Sequence, residues 1–131
     1  HDPCHSPMKT HNPLKVVSQL MDTDVPLSDR CCGESGSFAL SRPDIATQVR
    51  FRKEEELRKG ADELRADGFT GQVKVLTSCP ACLQGLHRYR DDIDSDADYI
   101  VVEMAKYILG ENWLPEYVAA ANNGGIERVL V

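Results

Sequence analysis

Five cysteines carry the chemistry this chain could do: Cys4, Cys31, Cys32, Cys79 and Cys82. The last two form Cys79-Pro80-Ala81-Cys82. Two thiolates three positions apart, at a strand-to-helix turn, can point at one metal, and the start of a helix favours their negative charge. Taken alone, that C-x-x-C fits metal ligation, a thioredoxin-like redox pair or coincidence. Cys31-Cys32-Gly33 changes the balance. Adjacent cysteines diverge and make a poor internal disulfide, but each can reach a different iron of a multinuclear cluster. Gly33 and Gly36 permit backbone conformations that bring N–H groups toward thiolate or sulfide. Cys4, in a proline-flanked loop, supplies a fifth sulfur. A mononuclear zinc site takes four ligands, so five slightly overfill it. A single cysteine is often no more than a small buried residue. Five, all beside turns or element ends, read as one metal-site constellation, the ligand set of an iron–sulfur centre.

Other candidates are weaker. His1 and His5 flank Cys4; they could replace a thiolate or hydrogen-bond to sulfur, and the simpler reading is that they shape the loop and support the ligands. His11 and His87 have no partner at ligand spacing. Arg30, beside Cys31, either moderates the charge of a thiolate-rich centre or faces solvent. Ser35, Ser37 and Ser78 lie near cysteines, but no Ser/His/Asp arrangement supports hydrolysis. Trp113 and Tyr117, four apart, read as a core contact.

The elements that must position these residues follow from pattern. Residues 1–13 hold three prolines and three of the four histidines, and read as loop. A short helix follows from Leu14 to about Met21. CCGESGS is a glycine-containing turn, with one helical turn after it at Phe38–Leu40. Ser41-Arg42-Pro43 starts a helix that keeps Ile45, Val49, Leu57, Ala61 and Leu64 on one face, and Asp67-Gly68 stops it near Ala66. Glu54–Glu56, with neighbouring Lys and Arg, reads as its solvated face. Gln72–Thr77 is the clearest strand and runs straight into the CPAC turn, with a helix from Pro80 to about Arg90. DDIDSDAD reads as an acidic turn, Tyr99–Val102 as a strand or the entry to a helix ending at Leu109-Gly110. Trp113–Ala121 reads as a further helix, NNGG as a turn and Ile126–Val131 as a last strand. The expected fold is α/β: a small, mainly parallel sheet flanked by helices, with the cysteines on loops at strand–helix junctions.

Bulk properties bound the function. With 131 residues, 41% hydrophobic and 27% charged, the chain suits one soluble domain. A formal net charge of −6 argues against a nucleic-acid surface. No apolar run approaches the ~20 residues of a membrane span. An odd cysteine count in an acidic, helix-rich chain fits a reducing cytosol better than a disulfide scaffold. The opening HDPCH has neither an initiator Met nor a signal peptide, which suggests a piece of a longer protein.

The pattern Cys4, Cys31-Cys32-Gly33, Cys79-x-x-Cys82 resembles the CCG cysteine-rich domain. That domain occurs in the B subunit of heterodisulfide reductases and in iron–sulfur subunits of glycolate oxidase, D-lactate dehydrogenase and anaerobic glycerol-3-phosphate dehydrogenase. The HDPCH opening, Phe38-Ala39 after the CCG turn and TSCPAC after a strand add to the likeness, which covers roughly residues 1–110. It implies that the five cysteines hold a non-cubane [4Fe–4S] centre, although some CCG domains carry another cluster or zinc. His5, Gly33 and Gly36 would support the ligands. It further implies an FAD-bearing dehydrogenase domain or subunit as partner, a 2-hydroxy acid such as lactate or glycolate as electron source, and a quinone or other acceptor. The location would be cytoplasmic, peripheral to the inner membrane. A strand would normally precede HDPCH, so a C-terminal part of a larger oxidoreductase is expected, its isolated domain inactive alone. Two rivals stand beside this reading: a zinc-binding structural domain that docks a partner, and a thiol–disulfide protein using CPAC alone.

Overall fold

The computed structural model describes residues 1, 13–22, 24–34 and 37–124. Cys4, His5 and Gly36 lie outside the described residues, as does the strand expected over 126–131. The chain divides into two compact units, residues 1–100 and 101–131.

In the first unit, α1 (Pro13–Met21) and the single turn α2 (Phe38–Ser41) precede the long α3 (Pro43–Ala66). Pro43 occupies the first turn of α3, where its missing N–H leaves no bond unmade. The residue before it, Arg42, takes the cap position without a side-chain cap bond, so no hydroxyl caps this helix. Arg42 reaches forward instead, donating from Nη2 to Asp44 Oδ2 at 2.8 Å. At the other end Gly68 adopts φ +94°. Its N–H donates to the Arg65 carbonyl at 3.0 Å and that of Phe69 to Leu64 at 3.1 Å, the paired bonds of a Schellman stop.

Strand β1 (Val73–Thr77) leads through α4 (Pro80–Leu86), a 3-10 turn (His87–Tyr89) and α5 (Arg90–Ile93) to β2 (Ser95–Tyr99). The strands pair in parallel, from Val73 opposite Ser95 to Thr77 opposite Tyr99. The sheet is therefore small and parallel, with helices around it, as the sequence led us to expect. The acidic turn is the main correction. Asp91 and Asp92 lie within α5, Asp94 turns the chain with φ +49°, and Ser95–Tyr99 forms β2. Aspartate tolerates that left-handed conformation. Ser95 and Ala97 are small enough to face inward against α4 and α5, so burial on one face overrides the low strand propensity of the segment.

Val73, Val75 and Thr77 are buried along one face of β1. They join Leu57 of α3, Leu86, Tyr89, Ile93 and Ala97 in a core that also contains Cys32, Cys79 and Cys82. The buried stripe of α3 runs through Ala46, Lys53, Leu57 and Ala61, while Ile45 is exposed. The apolar spacing was thus read one residue out of phase at its start.

The second unit contains most of α6 (Ile100–Leu109) and α7 (Trp113–Asn122). Gly110, at φ +94°, donates its N–H to Lys106 at 2.8 Å and closes α6. The rings of Trp113 and Tyr117 meet with centroids 6.5 Å apart, although Tyr117 is exposed.

Candidate metal centre

Two chain turns bring the sulfurs together. The first is the β1–α4 junction. Cys79 sits at the cap of α4 in extended conformation, Pro80 opens the helix, and the Leu83 N–H donates to the Cys79 carbonyl at 2.9 Å. The buried Thr77 hydroxyl accepts the Cys79 N–H at 3.3 Å, fixing how the strand turns into the helix. Cys82 then lies on the inward face of α4, 2% exposed.

The second turn is Cys31–Glu34, inserted between α3 and α4. Gly33 has φ +78° and lies against α3, where a Cβ would sit 3.3 Å from Arg50 Cγ and 3.5 Å from the Ala46 carbonyl. Both the conformation and the close approach select glycine. Its N–H donates to Cys31 Sγ at 3.4 Å, the kind of backbone contact that stabilises a thiolate. On the other side, Gly85 of α4 leaves room for Glu34: a Cβ there would stand 2.4 Å from Glu34 Cγ. Glu34 is clamped from two sides, by Arg50 Nη2 of α3 at 2.7 Å and by Arg88 Nη1 of the 3-10 turn after α4.

The result is that Cys32 Sγ lies 3.3 Å from Cys82 Sγ, across 50 residues of chain. A ring nitrogen of His1 completes a group of three donors, all within 4.8 Å of one another. Sulfurs around one tetrahedral metal with ~2.3 Å bonds stand roughly 3.8 Å apart, so the donor set suits a metal in both chemistry and spacing. Cys79 hydrogen-bonds with Cys82. Neither Cys79 nor Cys31 belongs to the three-donor group. No disulfide joins the four described cysteines. Burial pushes the Cys82 thiol well up, and the neighbouring Cys32 and Cys79 add to the effect. The thiol that attacks in a C-x-x-C redox pair is the first one, here Cys79, which needs access to solvent and is only 6% exposed. Among the described residues, the geometry therefore disfavours a thioredoxin-like use of CPAC.

Behind the sulfurs lies a polar cluster that the helical pattern concealed. Lys53 is completely buried. Its Nζ donates to Glu56 Oε2 at 2.6 Å and to Ser28 Oγ, and lies 3.2 Å from His1 Nδ1. Ser28 Oγ in turn donates to Glu56 Oε2 at 2.7 Å, and the backbone N–H groups of Asp29 and Arg30 both donate to Oε1 at 3.2 Å. Burial pushes the Glu56 carboxyl up, but the bonds from Lys53, Ser28 and Arg30 outweigh it and hold the pKa at about 2. Burial lowers that of Lys53, with Glu56 opposing and Cys32 adding a smaller upward pull. Glu54–Glu56 is therefore not simply a solvated face: Glu56 is a half-buried anchor for the buried Lys53. The available signal was position, since Lys53 falls on the Ala46–Leu57–Ala61 stripe.

His1 is held at its main chain as well, its nitrogen donating to the Leu76 carbonyl at 2.6 Å. Arg30 faces α3, with Nη1 donating to the Arg52 carbonyl at 2.9 Å. His87 is half-exposed near Asp96, consistent with a surface role.

Residues 87–131 match a family described only as a domain of unknown function, DUF3400. The match begins after the last cysteine, so it covers β2 and the helices around it rather than the sulfur-bearing turns. A 42-residue stretch is 48% identical to the glycolate oxidase iron-sulfur subunit of Escherichia coli (strain K12). That stretch is 32% of this chain and 10% of the relative, so the chain matches about a tenth of the relative's length. No solved structure matches. Among the described residues, no helix is long and apolar enough to cross a membrane.

Proposed function

We propose that this chain is an iron–sulfur-binding electron-transfer module of an FAD-linked oxidoreductase. The observation that carries the reading is the delivery of Cys32, from an adjacent cysteine pair, to within 3.3 Å of Cys82 in a buried site. The likeness to an iron-sulfur subunit supports it. In this reading Cys4, Cys31, Cys32, Cys79 and Cys82 ligate a [4Fe–4S] centre, with His5, Gly33 and Gly36 around it. A bound cluster supplies a one-electron carrier whose potential responds to hydrogen bonds and solvent access. The protein's part is to hold the sulfurs, exclude water by packing them in the core and donate the Gly33 N–H to Cys31. The flavin lies in another domain or subunit, which oxidises a 2-hydroxy acid such as lactate or glycolate. The electrons pass on to a quinone or another acceptor at the cytoplasmic face of the inner membrane.

Anaerobic reconstitution with iron and sulfide tests this. A thiolate-to-iron absorption band is expected, and Cys31→Ser and Cys82→Ser should weaken or shift it. A band unchanged in both variants would sink the proposal. So would protein isolated with one zinc and no iron that takes up no cluster, which favours the structural zinc domain.

A further inference from the structure

We infer that His1 is a ligand of this centre, its Nε2 joining the Cys32 and Cys82 sulfurs as a nitrogen donor. The inference rests on the reading of the cysteines as metal ligands and adds a residue to them. Its basis is the direction in which the ring is held. His1 Nδ1 lies 3.0 Å from the Ser28 carbonyl. A carbonyl only accepts, so Nδ1 carries the ring proton and Nε2 carries a lone pair. That arrangement, one ring N–H given to a backbone carbonyl and the other nitrogen turned to the metal, is the usual support of metal-binding histidines. With Nδ1 engaged by Ser28, Nε2 is the ring nitrogen left for the sulfurs that share the three-donor group.

Two further anchors fix the ring. The His1 main-chain nitrogen is tied to Leu76, one residue before Thr77, whose hydroxyl sets the CPAC turn. Ser28 is held in turn through its hydroxyl, which takes a proton from Lys53 and gives one to Glu56. Lys53 and Glu56 are thus positioning residues: they fix Ser28, and Ser28 fixes His1. Lys53 also stands 3.2 Å from Nδ1, but its nearer acceptors are Ser28 Oγ and Glu56 Oε2. Two of its three protons go there, and the Ser28 carbonyl at 3.0 Å is the nearer neighbour of Nδ1. A neutral nitrogen donor adds a ligand without adding negative charge, so the centre holds a higher potential than one given a further thiolate.

Cobalt(II), added anaerobically to the reduced, metal-free 131-residue chain carrying ¹⁵N-histidine, tests the inference without any turnover. Thiolate-to-cobalt absorption reports the cysteines, and pulsed EPR reports directly bound nitrogen. The expected result is a strong ¹⁵N coupling that disappears in His1→Ala, with cobalt affinity lower by ~10-fold or more. If His1→Ala does not fold, the combined variant His5→Ala, His11→Ala and His87→Ala keeps only His1, and the coupling must persist. Thiolate absorption without strong ¹⁵N coupling overturns the inference and leaves the cysteine centre standing. That outcome includes the case where Lys53 protonates Nδ1 and Nε2–H merely donates to sulfur. Coupling lost in His5→Ala but kept in His1→Ala also overturns it. Absence of any thiolate-to-cobalt band removes both the inference and the function on which it rests.

Discussion

Replacing Gly85 by alanine probes whether α4 really clamps the cysteine turn. The added Cβ would lie 2.4 Å from Glu34 Cγ, 3.3 Å from Glu34 Cβ and 3.5 Å from the Cys32 carbonyl. Glu34 has little room to retreat, because its side chain is 9% exposed and two arginines hold its carboxylate. Alanine gains about 1 kcal/mol over glycine in a helix interior. Overpacking costs roughly 1–3 kcal/mol, and displacing Glu34 from its arginines costs roughly 1–3 kcal/mol more. The net expectation is a loss of about 1–5 kcal/mol. Gly60 in α3 is the control, since a Cβ there meets nothing within 4 Å. Gly60→Ala should stabilise by about 0.5–1 kcal/mol. Urea denaturation of the reduced, metal-free chain reads both as shifts of midpoint at constant slope. Cobalt affinity should fall in Gly85→Ala alone, because only that variant moves Cys32. If the two variants shift stability in the same direction, the clamp is wrong.

Glu56 should make stability fall in acid. Its folded-state pKa is held at about 2, below the ordinary 4.5, so its contribution is complete above about pH 4.5 and lost as pH drops toward 2. Solvent screening of this half-buried carboxyl brings the effect to about 1–2 kcal/mol. Lys53 stays protonated in both states over that range and adds no slope. Denaturation at pH 3 and pH 6 should show a smaller loss in Glu56→Gln than in the wild type; equal losses would refute the assignment. The metal-free chain should also oxidise at a defined pair. Cys32 and Cys82 are 3.3 Å apart, so a thiol oxidant such as diamide, taking two electrons and two protons, should join them. Peptide mapping that finds Cys79–Cys82 instead would contradict the observed approach.

The fold was largely legible because the strongest signals were local. Pro43 and Gly68 bound α3, and alternation marks β1. Ser95–Tyr99 was hidden because its strand character comes from burial against neighbours, which alternating Asp and small residues do not advertise. The sulfur site was legible as a set of residue types and opaque as geometry. Spacing could place Cys79 and Cys82 on one turn, yet nothing in it says that Cys32 rather than Cys31 meets Cys82. That choice follows from Gly33 turning the backbone against α3 while Gly85 admits Glu34 on the other side. Lys53 was misjudged for a related reason. It is ordinary in sequence, and its buried place beside Ser28 and His1 comes from contacts 25 and 52 residues away.

Charge accounts for why such a site tolerates burial. Without metal, neutral thiols can pack as small apolar groups, and burial keeps the Cys82 proton in place. Metal binding must expel such protons and leave thiolates in the core. On the proposed reading, the surroundings suit that state. Lys53 and Glu56 cancel, so they orient Ser28 without adding net charge. Arg50 and Arg88 share the single carboxylate of Glu34, leaving one positive charge beside the cysteine turn. A single arginine there would give a neutral pair, which would hold the loop but not offset a thiolate. A second arginine suits a site that becomes anionic, as the proposed metal centre would, and it comes from the 3-10 turn His87–Tyr89 that directly follows α4, the helix carrying Cys82.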